Sequence, residues 1–235
     1  MVEEITLAGL ALGLVPAAVV IAIMLRWSAG AATALYATGR MLVQLLLIGY
    51  VLVYIFEAEH PAIIGAVLIV MLVIASWIAI RPVAQKHAHV FRNALIAISI
   101  GGALVLTLVT QVVIAVEPWF NPRYVVPLAG MVFAGAMNSV SLAAERLEAE
   151  IGRNVSVSEA RRIALSAALI PMINSLFAVG LVALPGMMTG QILSGISPII
   201  AAKYQIVVMS MLFGVSGLSA ALYLQLQTHS PQASH

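Results

Sequence analysis

Apolar runs of about twenty residues with few or no charges recur along this chain, and they limit its possible folds more than any other feature. A helix of that length crosses the hydrocarbon core of a bilayer, which is about 30 Å thick. Because that core offers no water to unpaired backbone groups, only helices and closed barrels cross it. The runs predict an all-α polytopic membrane protein with seven spans: Ile5–Leu25, Leu35–Phe56, Pro61–Ile80, Ala94–Val116, Val125–Ala144, Ile163–Leu184 and Ile199–Leu226.

The composition agrees with a lipid-embedded chain, since 63% of the residues are hydrophobic and 9% are charged. No interval between the spans is long enough for a soluble domain, so we predict a single transmembrane domain over residues 1–235. Cys and Asp are absent, which excludes thiolate metal sites, disulfides and Walker-type Asp chemistry. The net charge of +2 does not indicate a nucleic-acid partner, because the basic residues lie in short loops between spans.

The charges of these loops predict the orientation of the helices, because Lys and Arg are retained on the cytoplasmic side of a membrane. The basic residues of one set of loops are Arg26, Arg81, Lys86, Arg92, Arg146, Arg153, Arg161 and Arg162. The other set, in which Arg123 is the only basic residue, carries Glu3, Glu4, Glu57, Glu59 and Glu117. We therefore expect the N-terminus outside and the C-terminus in the cytoplasm.

The stretch Leu184–Gln205 has a single charge, three glycines and two prolines. A water-exposed loop of this length would carry several ionisable residues, and a lipid-facing span would avoid Gln191 and Gln205. We predict irregular backbone at membrane depth that lines a transport pathway. Gly186 and Gly190, one helical turn apart, are expected to permit close backbone approach.

Arg40 and Gln44 lie one turn apart within the second span and so share a helix face. An arginine at the middle of a membrane helix costs about 2.5–3.5 kcal/mol on insertion scales, so the pair indicates a polar stripe facing a pathway or a partner subunit. The alternative is that the helix begins near Arg40, whose side chain then extends to the cytoplasmic surface.

Asn138 in the fifth span and Asn174 in the sixth are further polar residues at membrane depth. Pro171 removes a backbone donor and leaves a carbonyl free near Asn174, an arrangement that suits a hydrated cation or a sugar hydroxyl. Alternatively, the two amides hydrogen-bond each other across the helices.

No set of residues forms a recognisable metal-ligand motif. Thioethers suit Cu(I), but no Cys or nearby His supports the methionines, and a core-filling role is favoured for Met187, Met188, Met209 and Met211. An oxygen-rich site for a harder metal could draw on Glu57, Glu59, His60 and Glu117. The spacing of these residues matches no known metal-ligand motif. The metal ligands therefore stay undetermined.

The loop between spans five and six, ERLEAEIGRNVSVSEARR, is the one charged segment long enough to form a docking surface. Ser156 and Glu159 have the spacing of a capping box at the start of a helix, and Arg146 faces Glu150 at i, i+4. The functional interpretation is a helix–turn–helix elbow that inserts into a partner ATPase; the alternative is a solvated connector, which charge patterning alone favours. The expected coupling residues are Glu148, Gly152, Ser156, Glu159, Arg161 and Arg162.

Four blocks resemble the bacterial permeases of the iron-export ABC transporter family, which includes a plant aluminium-sensitivity permease. They read GRMLVQLLLIGYVLVYIF, PLAGMVFAGAM, AALIPMINSLFAVGLVALPGMMTGQILSGISP and YQIVV, between Gly39 and Gly217. The resemblance implies an inner-membrane homodimer bound to a separate cytoplasmic ABC ATPase. It implies that ATP and Mg²⁺ bind to that ATPase and that this chain binds no cofactor.

The family blocks contain most of the polar and glycine residues considered above. The predicted substrate pathway comprises Arg40, Gln44, Asn138, Asn174, Gly186, Gly190, Gln191 and Gln205. Of these, Asn138 lies just outside the family blocks. The chain departs from the family in a shorter loop between spans five and six, which lacks the usual coupling signature and retains only Gly152 and the helix Ser156–Arg162 at the corresponding place. Asn138 also falls one position later than the family's asparagine.

The sequence therefore predicts a non-enzymatic permease subunit that exports iron or another metal ion with energy from a partner ATPase. The alternative is an ATPase-independent channel or secondary carrier for a metal ion or a small polar solute. A scaffold without transport activity fits poorly with the uncharged Gly/Met/Gln stretch. Plant relatives are linked to nucleotide sugars, so the residues alone do not identify the substrate.

Overall fold

The computed structural model describes residues 5–57, 60–84 and 87–228, and nearly all of these are helical. The α-helices of the described residues are α1 (Leu7–Gly13), α2 (Val15–Arg26), α3 (Ala31–Phe56), α4 (Pro61–Ala79), α5 (Ala88–Thr107), α6 (Pro122–Ile151), α7 (Val157–Ala178), α8 (Gly186–Leu193) and α9 (Pro198–Thr228). A π-helical segment, Leu108–Val113, continues α5. Within the described ranges the only β-pairing is an isolated bridge between Val179 and Ala183, so the all-α prediction is confirmed.

Six helical segments of the described chain are long and apolar enough to cross a membrane. They are α1 with α2, α3, α4, α5 with the π segment, α6, and α9. The remaining predicted span corresponds to α7, which has 22 residues but begins with a charged turn. The count of seven and the orientation stay predictions. Four residues used for the orientation lie outside the described residues: Glu3, Glu4, Glu59 and Lys86.

Several predicted span ends differ from the helix ends. The first span is two helices that meet at Leu14, just before Pro16 in the first turn of α2. The fifth continues past Ala144 to Ile151, because a helix persists into the charged region that a hydropathy window excludes. The sixth ends at Ala178 and not at Leu184, since the chain turns there and Gly180 adopts a left-handed φ of 82°.

The prediction of irregular backbone across Leu184–Gln205 is wrong for most of that stretch. Residues 186–193 form α8, and α9 begins at Pro198. The prolines account for the difference, because a proline next to or at the first helical position begins a helix without sacrificing a hydrogen bond. The non-helical parts of the stretch are residues 184–185 and 194–197.

The contacts of the chain divide it into two compact units, Met1–Glu57 and Ala58–His235. In the first unit α2 packs against α3, and most apolar side chains of both helices are exposed, as suits contact with lipid. The second unit contains α4 to α9. The single-domain prediction stays a prediction.

In the second unit α6 is the central helix, packed against α4, α5, α7 and α9. Small residues make this packing close. Ala129, Ala136 and Ala143 recur every seven residues on one face of α6 and are fully buried. The buried residues of α7 are Ala160, Ala164 and Ala168, spaced by one turn each. Small side chains let helix backbones approach closely, which is how helices associate where burial from water contributes little.

Candidate functional site

Among the described residues of the second unit, three clefts border α9, and each is lined by polar groups. The Asn138 cleft, of about 360 Å³, lies between α6, α7 and α9. Its polar residues are Asn138, Ser139, Ser175 and Ser216. The Ser216 hydroxyl is 3.5 Å from the Gly135 carbonyl oxygen, so part of this polarity is used within the bundle.

The Gln191 cleft, of about 390 Å³, lies between α6, α8 and α9. Arg123 and Tyr124 line it from the first turn of α6, and Tyr204 lines it from α9. The buried Oε1 atom of Gln191 has no hydrogen-bond partner among the described residues. Gln191 thus lines a cleft, and its role in a substrate pathway stays a prediction.

The Gln205 cleft, of about 340 Å³, lies between the end of α7, α8 and α9. Gln205 is only 5% exposed, and its Oε1 has no hydrogen-bond partner within the part of the chain that the structure describes. Met188, Met209 and Ser210 line the same cleft.

The predicted pathway residues of the second unit are thus divided among separate clefts. Asn174 is exposed on α7 and lines none of the three. No hydrogen bond between Asn138 and Asn174 occurs in the described chain, and the Pro171 carbonyl accepts from the Ser175 hydroxyl at 2.9 Å instead. The alternative of an Asn138–Asn174 bond is therefore wrong.

Gly186 and Gly190 do not make the predicted close backbone approach within this chain. Both are exposed on α8, and a Cβ atom added at either would meet nothing within 4 Å. The close contact that small residues permit occurs instead between α5 and α9 at Gly101. Neither glycine has a steric role that the described chain explains.

In the first unit, Arg40 and Gln44 form the pair that their spacing predicts. With the Gln44 amide assigned so that its oxygen faces Arg40, this oxygen accepts from Nε at 3.1 Å and from Nη2 at 3.2 Å. The helix begins at Ala31, about 13 Å before Arg40 at the usual rise, so the alternative start near Arg40 is wrong.

The elbow, residues Glu145–Arg162, comprises the end of α6, a five-residue turn and the start of α7. The Val155 amide donates to the Glu150 carbonyl at 3.2 Å and closes the turn. Asn154 adopts a left-handed conformation with φ 61°, whereas Gly152 is right-handed with φ −63°. The residue of the turn that needs a left-handed backbone conformation is therefore Asn154. The sequence analysis did not single it out, although asparagine adopts left-handed φ values more readily than most residues do.

Glu150 holds the elbow together from inside. Its buried carboxylate lies 2.7 Å from the Arg146 guanidinium, which confirms the predicted i, i+4 pair, and 3.3 Å from that of Arg153. Two cations facing one buried carboxylate supply it with charge-assisted hydrogen bonds. The burial of Glu150 and the participation of Arg153 were not predicted.

The helix start at Val157 and the N-cap position of Ser156 are confirmed, but the hydrogen bonds of a capping box are not formed. The Ser156 hydroxyl lies 3.4 Å from that of Ser158. The Glu159 carboxylate accepts from Arg162 Nε at 2.9 Å and Nη2 at 2.6 Å and does not reach back to residue 156. The hydrogen bond from Arg162 lowers the pKa of Glu159, and the positive charge acts in the same direction.

Two predicted coupling residues join the elbow to other helices. The Glu148 carboxylate accepts from the Ala84 backbone amide, after α4, at 3.1 Å. Arg161 Nη1 donates to Gln225 Oε1 of α9 at 2.7 Å. Because these partners are 64 residues away in each case, no local pattern revealed them.

The last turns of α9 are also bonded to α5. Asn93 Nδ2 donates to Gln227 Oε1 at 2.9 Å, and Asn93 is buried. Together with the Arg161–Gln225 bond, this contact holds the end of α9 between α5 and α7. The polar residues at the end of the otherwise apolar α9 sequence were the one sequence feature that could have indicated these two hydrogen bonds.

The tip of the elbow is exposed and partly apolar. Ile151 is 40% exposed and Val157 39% exposed, on either side of the turn. Gly152 and Ser156 lie between them on the surface. Aliphatic side chains beside exposed arginines form a small surface of the kind found in protein interfaces.

No three His, Cys, Asp or Glu side chains are placed to hold a metal ion anywhere in residues 5–57, 60–84 and 87–228. The oxygen-rich site considered from the sequence is therefore not formed by its described members, and Glu59 lies outside them.

Comparisons with known proteins match most of the length of the chain. A model described as "Uncharacterised protein family (UPF0014)" matches residues 5–160 and 152–230. The "UPF0014 membrane protein slr1647" of Synechocystis is 35% identical over 230 residues, covering 90% of this chain and 87% of that protein. The "Probable iron export permease protein FetB" of Escherichia coli is 32% identical over 203 residues, covering 80% and 77%.

A plant relative is similar to the same extent. The "Protein ALUMINUM SENSITIVE 3" of Arabidopsis thaliana is 33% identical over 224 residues, covering 83% of this chain and 80% of that protein. These matches confirm the resemblance that the four sequence blocks indicated. No solved structure matches the chain.

Proposed function

The chain belongs to the UPF0014 family of multi-pass membrane proteins, and from this membership we propose that it is the permease subunit of an ABC-type metal exporter. Its cargo is iron or another metal ion, as the name of the Escherichia coli relative suggests. Energy comes from a separate cytoplasmic ATPase, and the permease lies in the inner membrane.

The exposed tip of the elbow is the observation that carries this proposal. A connector between two membrane helices needs no apolar surface in water, yet Ile151 and Val157 are both exposed there. The buried Glu150 carboxylate holds the turn in one shape. A rigid, partly apolar projection is suited to insertion into a groove on a partner protein.

The path from this tip to the clefts runs through α9. Arg161 at the start of α7 bonds to Gln225 near the end of α9, and α9 lines all three clefts. A displacement of the elbow would therefore move the wall that the clefts share. Alternating access requires such a connection between the site of energy input and the site of cargo binding.

The partner supplies the nucleotide chemistry in this proposal. This chain contains no Asp, whereas ABC ATPases use a Walker-type Asp to hold Mg²⁺. ATP and Mg²⁺ accordingly bind to the ATPase, and this chain carries no cofactor. Two copies of the chain pair with two ATPase subunits.

The test is ATP-dependent uptake of iron into inverted vesicles that contain the chain and its ATPase. We expect uptake to require both proteins and ATP. The double substitution Ile151→Ser and Val157→Ser should abolish ATPase association and stimulated hydrolysis while the chain still inserts in the membrane.

A matched control is available at the other end of α7. Leu181 and Val182 are also exposed aliphatic residues, so Leu181→Ser with Val182→Ser should leave ATPase association unchanged. Metal flux that needs neither ATP nor the ATPase would instead identify a channel or a secondary carrier.

A further inference from the structure

The Gln205 cleft contains a buried amide with an unsatisfied oxygen. A buried acceptor without a partner costs about 1–3 kcal/mol, and native proteins contain few of them. Gln205 is 5% exposed, and no group of the described chain donates to its Oε1. A ligand that supplies a donor or a positive charge in the cleft accounts for this arrangement.

Two thioether side chains line the same cleft. Met188 comes from α8 and Met209 from α9, on different walls. The core-filling role expected for the methionines holds for Met211, which is packed in the hydrophobic core. Met209 is buried as well, at 9% exposed, and together with Met188 it borders an open volume of about 340 Å³. Thioether sulfur is a soft ligand that selects soft metal ions.

The charge of the cleft limits the ion that it suits. No Asp, Glu, His, Lys or Arg is among its lining residues, so the ligands are neutral. The solvation penalty of an ion in a medium of low dielectric constant grows with the square of its charge, and neutral ligands offset none of that charge. The cleft therefore suits a monovalent ion better than a divalent one.

We propose that the Gln205 cleft binds a soft monovalent cation of the Cu(I) type. The thioether sulfurs of Met188 and Met209 are its soft ligands, and Gln205 Oε1 is an oxygen ligand. This inference goes beyond the proposed function, whose cargo is iron or another metal ion, because it assigns the chain a binding site for a soft monovalent ion. It concerns binding by the chain alone, without ATP or the ATPase.

The test uses the full chain in nanodiscs and Ag⁺ as a probe, because Ag⁺ is soft and monovalent and is not oxidised in air. Isothermal titration in chloride-free buffer gives affinity and stoichiometry. We expect the wild type to bind one Ag⁺ per chain at this site, and the double substitution Met188→Leu with Met209→Leu to weaken it by about tenfold or more. Gln205→Leu should weaken it by a smaller factor.

Leucine replaces methionine at nearly constant volume, so these variants should fold. Met211→Leu is the matched control: it removes a buried thioether two residues from Met209 that lines none of the three clefts, and Ag⁺ binding should be unchanged. X-ray absorption at the silver edge of the loaded wild type should show sulfur neighbours, and the double variant should lose them.

Three outcomes would overturn the inference: a wild type that binds no Ag⁺, a double variant that binds like the wild type, or tighter binding of Fe²⁺ than of Ag⁺ at this site. None of these depends on transport. Loss of ATP-dependent uptake with Ag⁺ binding intact would overturn the proposed function and leave the site in place.

Discussion

Gly101 of α5 lies directly against Ser219 of α9. A Cβ atom on residue 101 would stand 3.3 Å from the Ser219 backbone nitrogen and 3.4 Å from its Cα, and still closer to its hydroxyl oxygen. Backbone atoms cannot give way as a flexible side chain does. Gly101→Ala should therefore force α5 and α9 apart and destabilise the second unit by about 1–3 kcal/mol, as overpacking usually does. Thermal unfolding in nanodiscs measures this loss.

Gly65→Ala is the control for this substitution, because Gly65 is also helical but a Cβ there meets nothing within 4 Å. Adding Ser219→Gly to Gly101→Ala should restore part of the stability by removing the nearest atom. An unfolding temperature of Gly101→Ala equal to that of the wild type would contradict the close approach of these helices.

The second prediction concerns the turn of the elbow. Because Asn154 has φ 61°, Asn154→Val should destabilise the turn by about 1–2 kcal/mol, whereas Asn154→Gly should be tolerated. Gly152→Ala should also be tolerated, since Gly152 has an ordinary helical φ. Limited proteolysis of the elbow reports local opening. Greater sensitivity in Gly152→Ala than in Asn154→Val would show that the turn has a different geometry.

The third prediction concerns the pH dependence of the Glu159–Arg162 pair. The pKa of Glu159 is lowered from 4.5 by the hydrogen bond from Arg162. A carboxylate with a depressed pKa contributes stability that is present above 4.5 and is lost as the pH falls through the depressed value. Arg162→Leu should raise the pKa of Glu159 back toward 4.5, as measured by carboxyl NMR titration. An unchanged pKa would mean that the pair does not persist in solution.

The fourth prediction tests the orientation, and the absence of native Cys makes it simple to measure. Glu117→Cys should react with an impermeant maleimide added to intact cells, and Arg153→Cys should react only after permeabilisation. This follows from the retention of basic residues on the cytoplasmic side. The reverse pattern would show that the orientation is inverted. If both positions were labelled from the same side, the number of membrane spans between them would be even, which would contradict the predicted topology.

Features set by local sequence were predictable. Apolar runs located the membrane helices, and i, i+4 spacing identified the Arg146–Glu150 and Arg40–Gln44 pairs. Helix ends were less predictable, because hydropathy falls at the first charged turn while the helix continues, as α6 does to Ile151.

The clefts depend on tertiary packing, and their composition could not be predicted from the sequence. Gln191 and Gln205 were recognised as unusual, but their assignment to separate clefts follows from how α8 lies between α6, α7 and α9. The Asn93–Gln227 bond joins residues 134 positions apart and leaves no local pattern. The exposed tip of the elbow was predicted as a docking segment, but its apolar character depends on which side chains the turn leaves uncovered.

The π-helical segment at the end of α5 has a consequence for how this helix tolerates change. The Ile114 amide bonds to the Val109 carbonyl at 2.9 Å, five residues back, so this turn holds one residue more than an α-turn. Each residue of an α-helix turns by about 100° around the helix axis. Side chains after the segment therefore point about 100° away from the directions they would have in an uninterrupted α-helix. Removing one residue between Leu108 and Val113 would restore α geometry and rotate the following chain, while the packed face before Leu108 kept its register. A one-residue deletion at this turn would therefore leave the packing of α5 before Leu108 unchanged and alter only the direction of the side chains that follow.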